Sequence, residues 1–474
     1  MTAKNFIEEA IAYYHELLGQ DNLSASSRAV LDEGLERSKL VFGGRRLSPY
    51  LRPYFVTEQD WSRISSIGET IFRALQKVKD AAVSDEELLD ELGITEIERE
   101  LVKIDPGYSQ VSPSSRLDSF LTGDSYSYVE LNGESPAGIA FADSATEIFL
   151  SLPVMKRFVE RYNIRGFNGR PLLLEVLLSS YAEFCGGDTP DHAPTIAIVD
   201  LPDLPTQNEF ELFREYFEFR GYDSVIAAPQ ELEYDGKTLS FKGVDIEIVY
   251  KRLLVNEYIP IMAEYPALLD AYRDGAVCLV NSFQSKLIHK KAVFAILTNE
   301  RYRDLFDVDE LAAISEHVPW TRKFREERTF GRTGSGSNRA ESEIDLVPWT
   351  RANKGRLVLK PNDDYGGHGI YIGWNASESE WDAAITHALD NGDYLVQERV
   401  KTAKEYFPML FGYEGDIKMI EQLVDLDPLL YNGVVGQAFT RLSTSELANV
   451  TAGGGMVPTF VISEKYVTTA WISG

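Results

Sequence analysis

Cysteine, basic residues and long apolar runs are all scarce in this 474-residue chain, and each shortage closes off a class of protein. Only Cys185 and Cys278 occur. They lie outside the CxxC spacing of a metal or redox site and read as reduced thiols, not as a disulfide framework. No apolar stretch approaches the ~18–20 residues of a membrane span. The opening MTAKNFIEEAIAYYHELLG sets acids among its apolar residues. A signal peptide has instead a basic start and a continuous apolar run, so a cytoplasmic location is expected. Lys and Arg number 47 against 74 Asp and Glu, a formal net charge of −27. Such a surface repels phosphate backbones and anionic lipid, and neither nucleic acid nor membrane is expected as a partner. An anionic ligand would need a local reversal of that field by Lys, Arg, backbone N–H groups or a metal ion.

What is present is an ordinary globular composition, 44% hydrophobic and 26% charged, in a chain long enough for two or three domains. Apolar residues recur three and four apart in IEEAIAYYHELL, WSRISSIGETIFRALQKV and DEELLDELG, so residues 5–103 read as helical. Ser84 with Glu87 looks like a capping box opening the third segment. Residues 111–132 alternate about a TGDS turn and predict a β-hairpin with its loop at 122–126; a helix is expected over 144–162. Residues 194–250 read as strand, helix, strand, strand (PTIAIVDL, FELFREYFEFRG, DSVIAA, VDIEIVYKR), the pattern of a parallel sheet. No GxGxxG follows the first of these strands, so dinucleotide binding loses its main support. The fold class is α/β, with a helical N-terminal region over 1–110. Residues 327–345, with their GRTGSGSNR centre, read as a mobile loop, either a flap over a site or a linker. Two copies of VPWTR bracket it, too short a match to indicate duplication.

The strongest chemical signal is RLVLKPNDDYGGHGIYIG at 356–373. Two β-rich runs flank Gly366, Gly367 and Gly369, whose backbone amides can approach an anion without Cβ interference, and Lys360 ends the first run. No GK[ST] follows, so this is not a Walker loop. A strand, glycine loop, strand arrangement suits a flap over a triphosphate; read alone it also suits a plain hairpin. Downstream, YLVQERV places Gln397 and Glu398 at the end of an apolar strand, where they offer polar groups to adenine or ribose. Upstream, RLDSFLTGDSYSYVELNGESPAG spaces Arg116 and Asp118, and Glu130 and Asn132, two apart, which puts each pair on one strand face. A hairpin then pairs 118 with 130 and 116 with 132. Asp118, Glu130 and Asn132 are hard oxygen donors of the kind Mg²⁺ accepts, and Arg116 beside them suits phosphate or a developing negative charge. A solvated face with ordinary charge pairs is the alternative. Lys290 and Lys291 on a helix approach, and Arg441, Asn449 and Gly453 to Gly455 near the end, complete the set of candidate anion-binding groups.

Together, LVLKPNDDYGGHGI, YLVQERV and RLS…NVTAGGGMVP resemble the ATP-grasp superfamily. The likeness is specifically to its circularly permuted branch, which includes the synthetase domain of glutathionylspermidine synthetases. In that branch RxD, a short gap and ExN form a metal-binding hairpin ahead of the nucleotide-binding lobes, and Arg116, Asp118, Glu130 and Asn132 match in order and spacing. The resemblance covers roughly 113–140 and 245–460. It implies a metal-binding hairpin and helix over 111–165, a pre-ATP-grasp-like α/β unit over 166–250 and nucleotide-binding lobes over 251–474. It also implies ATP and Mg²⁺ as cofactors, with Asp118, Glu130 and Asn132 on the metal. Lys291, Lys360, Gly366, Gly367, Gly369, Gln397 and Glu398 would bind the nucleotide, while Arg116 and Arg441 stabilise charge in the reaction. The implied activity is an ATP-dependent ligase that joins a carboxylate to an amine through an acyl phosphate, on small-molecule or peptide substrates. The first hundred residues are unlike those of the bifunctional enzymes, which carry a cysteine amidase domain, so hydrolase activity is not expected. Glutathione and spermidine are not carried over as substrates. A small-molecule kinase, or a nucleotide-binding regulatory protein without turnover, are the alternatives.

Overall fold

A computed structural model describes residues 3–465 except 21, 43, 124, 188–190, 334–339, 365, 412–416 and 446–453. Three sheets matter for the site. The first is antiparallel and holds the hairpin Ser114–Thr122 and Ser125–Asn132 at one edge. The long strand Ile417–Tyr431 lies next to it, followed by Val434–Ser443 and Gly455–Val457, with Ala403–Leu410 also pairing on the long strand. The second is wholly parallel, in the order Cys278–Val280, Ile248–Lys251, Ile196–Val199, Ser224–Ala227. Its central strands are buried along their length, as continuous β-branched runs covered on both faces must be. The third sheet runs Thr321–Lys323, Tyr394–Glu398, Leu357–Pro361, Tyr371–Ile372. It buries Leu357, Leu359 and Val396 against Trp320 and Trp381 in a core of its own. One large core joins the N-terminal helices, the hairpin and the antiparallel sheet, and a smaller one underlies the parallel sheet.

The expected hairpin forms, with Arg116 opposite Asn132 and Asp118 opposite Glu130. Its loop is tighter than expected: Thr122 pairs with Ser125 and Leu121 with Tyr126. A bulge absorbs the one-residue difference. Ser119 pairs with Tyr128, so Val129 is an extra residue on its strand.

Several expectations change. The N-terminal region is not helical throughout: Val41–Phe42 pairs with Arg45–Arg46, and Tyr54–Thr57 joins Thr459–Glu464 in parallel. Asp85, not Ser84, caps the helix Glu86–Leu92, because its carboxylate reaches two free N–H groups of the first turn. The capping box in this region is Thr95 with Glu98. The helix expected over 144–162 is two, Ile139–Ser151 and Pro153–Phe158, since Leu152 is extended ahead of the proline. The described ends of the 327–345 segment form an antiparallel hairpin, Arg328–Thr333 with Ala340–Asp345, in place of an irregular loop. The tip at 334–339 lies outside the described residues. The two VPWTR copies take different forms, the first entering the strand Thr321–Lys323 and the second lying in the helix Leu346–Ala352, which removes any reading as a repeat.

Candidate active site

The alternation of the hairpin puts Arg116 and Asp118 on one face of their strand, and its register sets Asn132 and Glu130 opposite them. Arg116 pairs on its other side with Leu429 of the long strand, and Asp425 of that strand lies opposite Arg441. Residues 116, 118, 425, 427 and 441 are thereby brought to one face of a sheet by strands more than 300 positions apart. Arg116 Nε donates to Asp118 Oδ1 at 2.9 Å, and Asn132 Nδ2 donates to the same oxygen at 2.9 Å. Arg441 Nη2 lies 2.5 Å from Asp118 Oδ2 and 2.6 Å from Asp425 Oδ2, and Arg441 Nε is 2.9 Å from Asp427 Oδ2. Arg116, Asp118, Asp425 and Asp427 are buried, and Arg441 is nearly so, with its side chain 11% exposed.

Three carboxylates thus share two guanidiniums, and their ionisation diverges. Burial alone would raise Asp118, but Arg116 and Arg441 outweigh it and hold the carboxyl down at about 2. For Asp425 and Asp427 burial wins and both are pushed up, Asp427 strongly. Asp425 and Asp427 were not singled out in the sequence. The available signal was a pair of acids two apart inside the apolar strand run LVDLDPLLY.

The third sheet closes over this face. Lys360 Nζ donates to the carbonyl of Val129 at 2.9 Å; Val129 is the bulge residue, off the regular ladder. Burial, with Lys291 adding to it, pushes the Lys360 ammonium down to about 8 against the pull of Glu130 and Asp118. Gln397 Nε2 donates to Thr321 Oγ1 at 3.0 Å, and Glu398 accepts from Arg356 Nη2 at 3.2 Å. Gly366, Gly367 and Gly369 all have positive φ (74°, 77° and 67°), the region that favours glycine. The strand, glycine loop, strand form expected from the sequence is therefore present.

A cavity of about 620 Å³ lies between the two sheets, with Arg116, Asp118, Glu130, Asn132, Lys360 and Arg441 in its wall. Gly366, Gly367, Gln397 and Glu398 line it too, along with Val358, Ile372 and Trp374. Two expected residues stand back from the wall. Lys291 lies behind Glu130, with Nζ 3.4 Å from Oε1, and donates to the Asp364 carbonyl. Gly369 lies behind the loop, its carbonyl held by Tyr394 at 3.1 Å. Lys290 is drawn away altogether, to Glu98 at 2.8 Å. Asn449 and Gly453 fall outside the described residues.

Beneath the loop that follows the hairpin, the fully buried Glu134 is held by Lys286 at 3.0 Å and by the Val255 N–H at 2.7 Å. Glu134, His289 and Asp363 are close enough to share a cation, but Lys286 Nζ already supplies that charge, 3.0 Å from Glu134 and 2.7 Å from Asp363. This cluster is read as a strut between the hairpin and the parallel sheet.

No protein-family profile and no curated protein sequence matches the chain. Solved structures do. A glutathione synthetase-like effector from Globodera pallida, in its apo form, superposes with a TM-score of 0.58 over 92% of this chain and 96% of its own, at 13% identity. The two chains share a fold. A protein described as a putative gamma-glutamylcysteine synthetase from Methylobacillus flagellatus matches at TM-score 0.36 and 10% identity, over 80% of this chain and 84% of its own. D-alanyl-alanine synthetase A from Vibrio cholerae matches at 0.26 and 13%, over 49% and 67%. These two are too distant to argue from. The first shows that this chain has the same mixed α/β architecture as that protein.

Proposed function

We propose that the protein is an ATP- and Mg²⁺-dependent ligase of the circularly permuted ATP-grasp type, joining a carboxylate to an amine on a small-molecule or peptide substrate. The observation that carries this reading is the convergence in one cavity of the hairpin residues Asp118, Glu130 and Asn132 with Lys360 and the glycine loop. The description of the Globodera pallida protein as glutathione synthetase-like agrees with a synthetase. The permuted order rests on the hairpin preceding the other strands of its sheet and on the motif resemblance.

The charges support a nucleotide with a divalent cation. Around the cavity, Arg116, Arg441, Lys360 and Lys291 face Asp118, Glu130, Asp425 and Asp427. Arg116 and Arg441 are already engaged by Asp118, Asp425 and Asp427, and Lys291 by Glu130, so a triphosphate needs further positive charge to enter. Asp118, Glu130 and Asn132 are hard oxygen donors on one cavity wall, and the buried Asp425 Oδ1 beside them accepts no hydrogen bond among the described residues. That donor set fits Mg²⁺, which when bound would neutralise phosphate charge. Arg441 has Asp425 and Asp427 as retained partners if Asp118 is drawn to a metal.

In the proposed reaction the substrate carboxylate attacks the γ-phosphorus and ADP departs; the amine, as its free base, attacks the acyl carbon, and phosphate leaves with the proton the amine gives up as the C–N bond forms. Both steps bring anions together or build negative charge on oxygen, so positioning and charge stabilisation dominate. Lys360 would bind the polyphosphate, the glycine loop would lie over it, and Arg116 and Arg441 would stabilise the transferring phosphoryl or the oxyanion. Burial of the site would shield an acyl phosphate from water.

The test is an ADP- and phosphate-release screen of paired amino acids, peptides and polyamines with Mg²⁺. Release that needs both members of one pair, and that falls at least ~100-fold in Asp118→Asn, supports the ligase. Release from one substrate alone makes the protein a kinase. No turnover with any pair, together with unchanged biological activity of Asp118→Asn, leaves a nucleotide-binding protein.

A further inference from the structure

The cavity does not end at the hairpin. It continues to the carboxyl ends of the parallel sheet, where Asp200 directly follows the strand Ile196–Val199 and Arg252 directly follows Ile248–Lys251. These two strands are neighbours, with Val199 beside Lys251. The chain passes from the first of them to Ser224–Ala227 on one side, and from the second to Cys278–Val280 on the other. The boundary between them is the point where strand order reverses, and in open parallel sheets the crevice outside the carboxyl ends at such a point is where ligands bind.

The charge there is unbalanced. Asp200 is 8% exposed and faces the cavity; its Oδ1 accepts the Leu201 N–H at 2.8 Å, and no cation approaches within 4.0 Å of it among the described residues. The Arg252 guanidinium acts on Asp200 through space but is bonded elsewhere. Its Nη1 donates to the carbonyl of Pro136 at 2.6 Å and to the Tyr250 hydroxyl at 3.0 Å, and its Nη2 lies 3.9 Å from the fully buried Glu209. Lys251 is turned to the carbonyl of Leu253 and to Glu134. Glu257 also lines this end of the cavity. Asp200 is thus left without a cation at bonding distance among the described residues, while Glu257 Oε2 accepts the Leu254 N–H at 3.3 Å. Burial pushes the Asp200 carboxyl up to about 7 despite Arg252, as for a carboxylate short of a partner. Leu204, Pro205 and Phe141 supply an apolar wall beside it.

We infer that this end of the cavity is a subsite for a cationic amine, with Asp200 and Glu257 taking its ammonium group and the apolar wall its alkyl stem. Calling that amine the acceptor of the ligase rests on the function proposed above; the subsite itself does not.

The experiment is calorimetric titration of the full chain, with and without Mg²⁺ and the non-hydrolysable nucleotide AMPPNP. The probes are 1,4-diaminobutane and glycinamide as cations, butyrate and N-acetylglycine as anions, and 1-butanol as a neutral control. At least one cation should bind in preference to the anions and the alcohol. Its affinity should fall about tenfold or more in Asp200→Asn and in Glu257→Gln, with AMPPNP affinity unchanged in both. Asp200→Asn keeps the shape of the side chain, and a thermal melt of each variant confirms folding. Selection of the anions, failure of every cation to bind at tens of millimolar, or cation affinity within twofold of wild type in both variants would overturn the subsite. Absence of AMPPNP binding to the wild type would sink the ligase reading, whichever way the probe series turned out.

Discussion

Lys360 and Val129 meet at 2.9 Å across the cavity, the ammonium of a strand end in one sheet bonded to the carbonyl at the bulge of the hairpin in another. The contact joins residues 231 positions apart. It ties the acidic hairpin to the sheet that carries the glycine loop.

Because burial holds the Lys360 pKa at about 8, its positive charge is present below that pH and lost above it. Nucleotide affinity should fall as pH rises through about 8, measured by AMPPNP titration with Mg²⁺. Lys360→Gln should bind about 10–100-fold more weakly at neutral pH and lose that alkaline fall, whereas Lys360→Arg should keep binding to higher pH.

Arg441 is the shared partner of Asp118, Asp425 and Asp427. Arg441→Met strands buried carboxylates and should destabilise the fold by about 3–5 kcal/mol in urea unfolding at neutral pH. Part of that loss should return on acidification, as the stranded groups protonate. Equal destabilisation at all pH values would mean that only packing was lost.

For Asp200 the folded pKa is raised to about 7, above the ~3.9 of an unfolded chain. The folded state then binds the extra proton, and stability falls as pH rises through the interval between those values. Asp200→Asn removes that cost. The ligand-free variant should be more stable than wild type by about 2 kcal/mol or more near pH 8, and about equal to it near pH 4. A stability difference that does not change with pH would contradict this.

Gly369 combines φ of +67° with a position where a Cβ would lie 2.8 Å from the Tyr394 hydroxyl. Gly369→Ala should therefore disturb the glycine loop and weaken AMPPNP binding while leaving the melting temperature within a few degrees, since the loop lies outside the main core. Gly355, an ordinary position with open space around it, is the control for alanine substitution.

The pairing of 116, 118, 130 and 132 in the hairpin was legible because antiparallel strands have period two: once 118 is set opposite 130, 116 falls opposite 132. The bulge at Val129 was not legible, since a valine between Tyr128 and Glu130 looks like any other strand residue, and the slip is set by the tight turn at Thr122 and Ser125. Tyr54–Thr57 was missed because its partner, Thr459–Glu464, lies some 400 residues away and the segment is too short to show a period of its own. Asp425 and Asp427 were hidden for a related reason. An acid pair inside an apolar strand looks like a strand end until Arg441 and Arg116 are seen on the strands to either side. The parallel sheet was readable from its buried runs, but the position of Asp200 in a shared cavity depends on how that sheet docks on the hairpin.

The most direct test is a crystal structure of the protein with Mg²⁺ and AMPPNP. The proposed function predicts a Mg²⁺ ion within ~2.0–2.1 Å of Asp118, Glu130 and Asn132 oxygens, phosphates against Lys360 and beneath the glycine loop, and Arg441 retained by Asp425 and Asp427. Nucleotide bound away from Lys360, or a metal ion that leaves Asp118 in its bonds to Arg116 and Arg441, would contradict it.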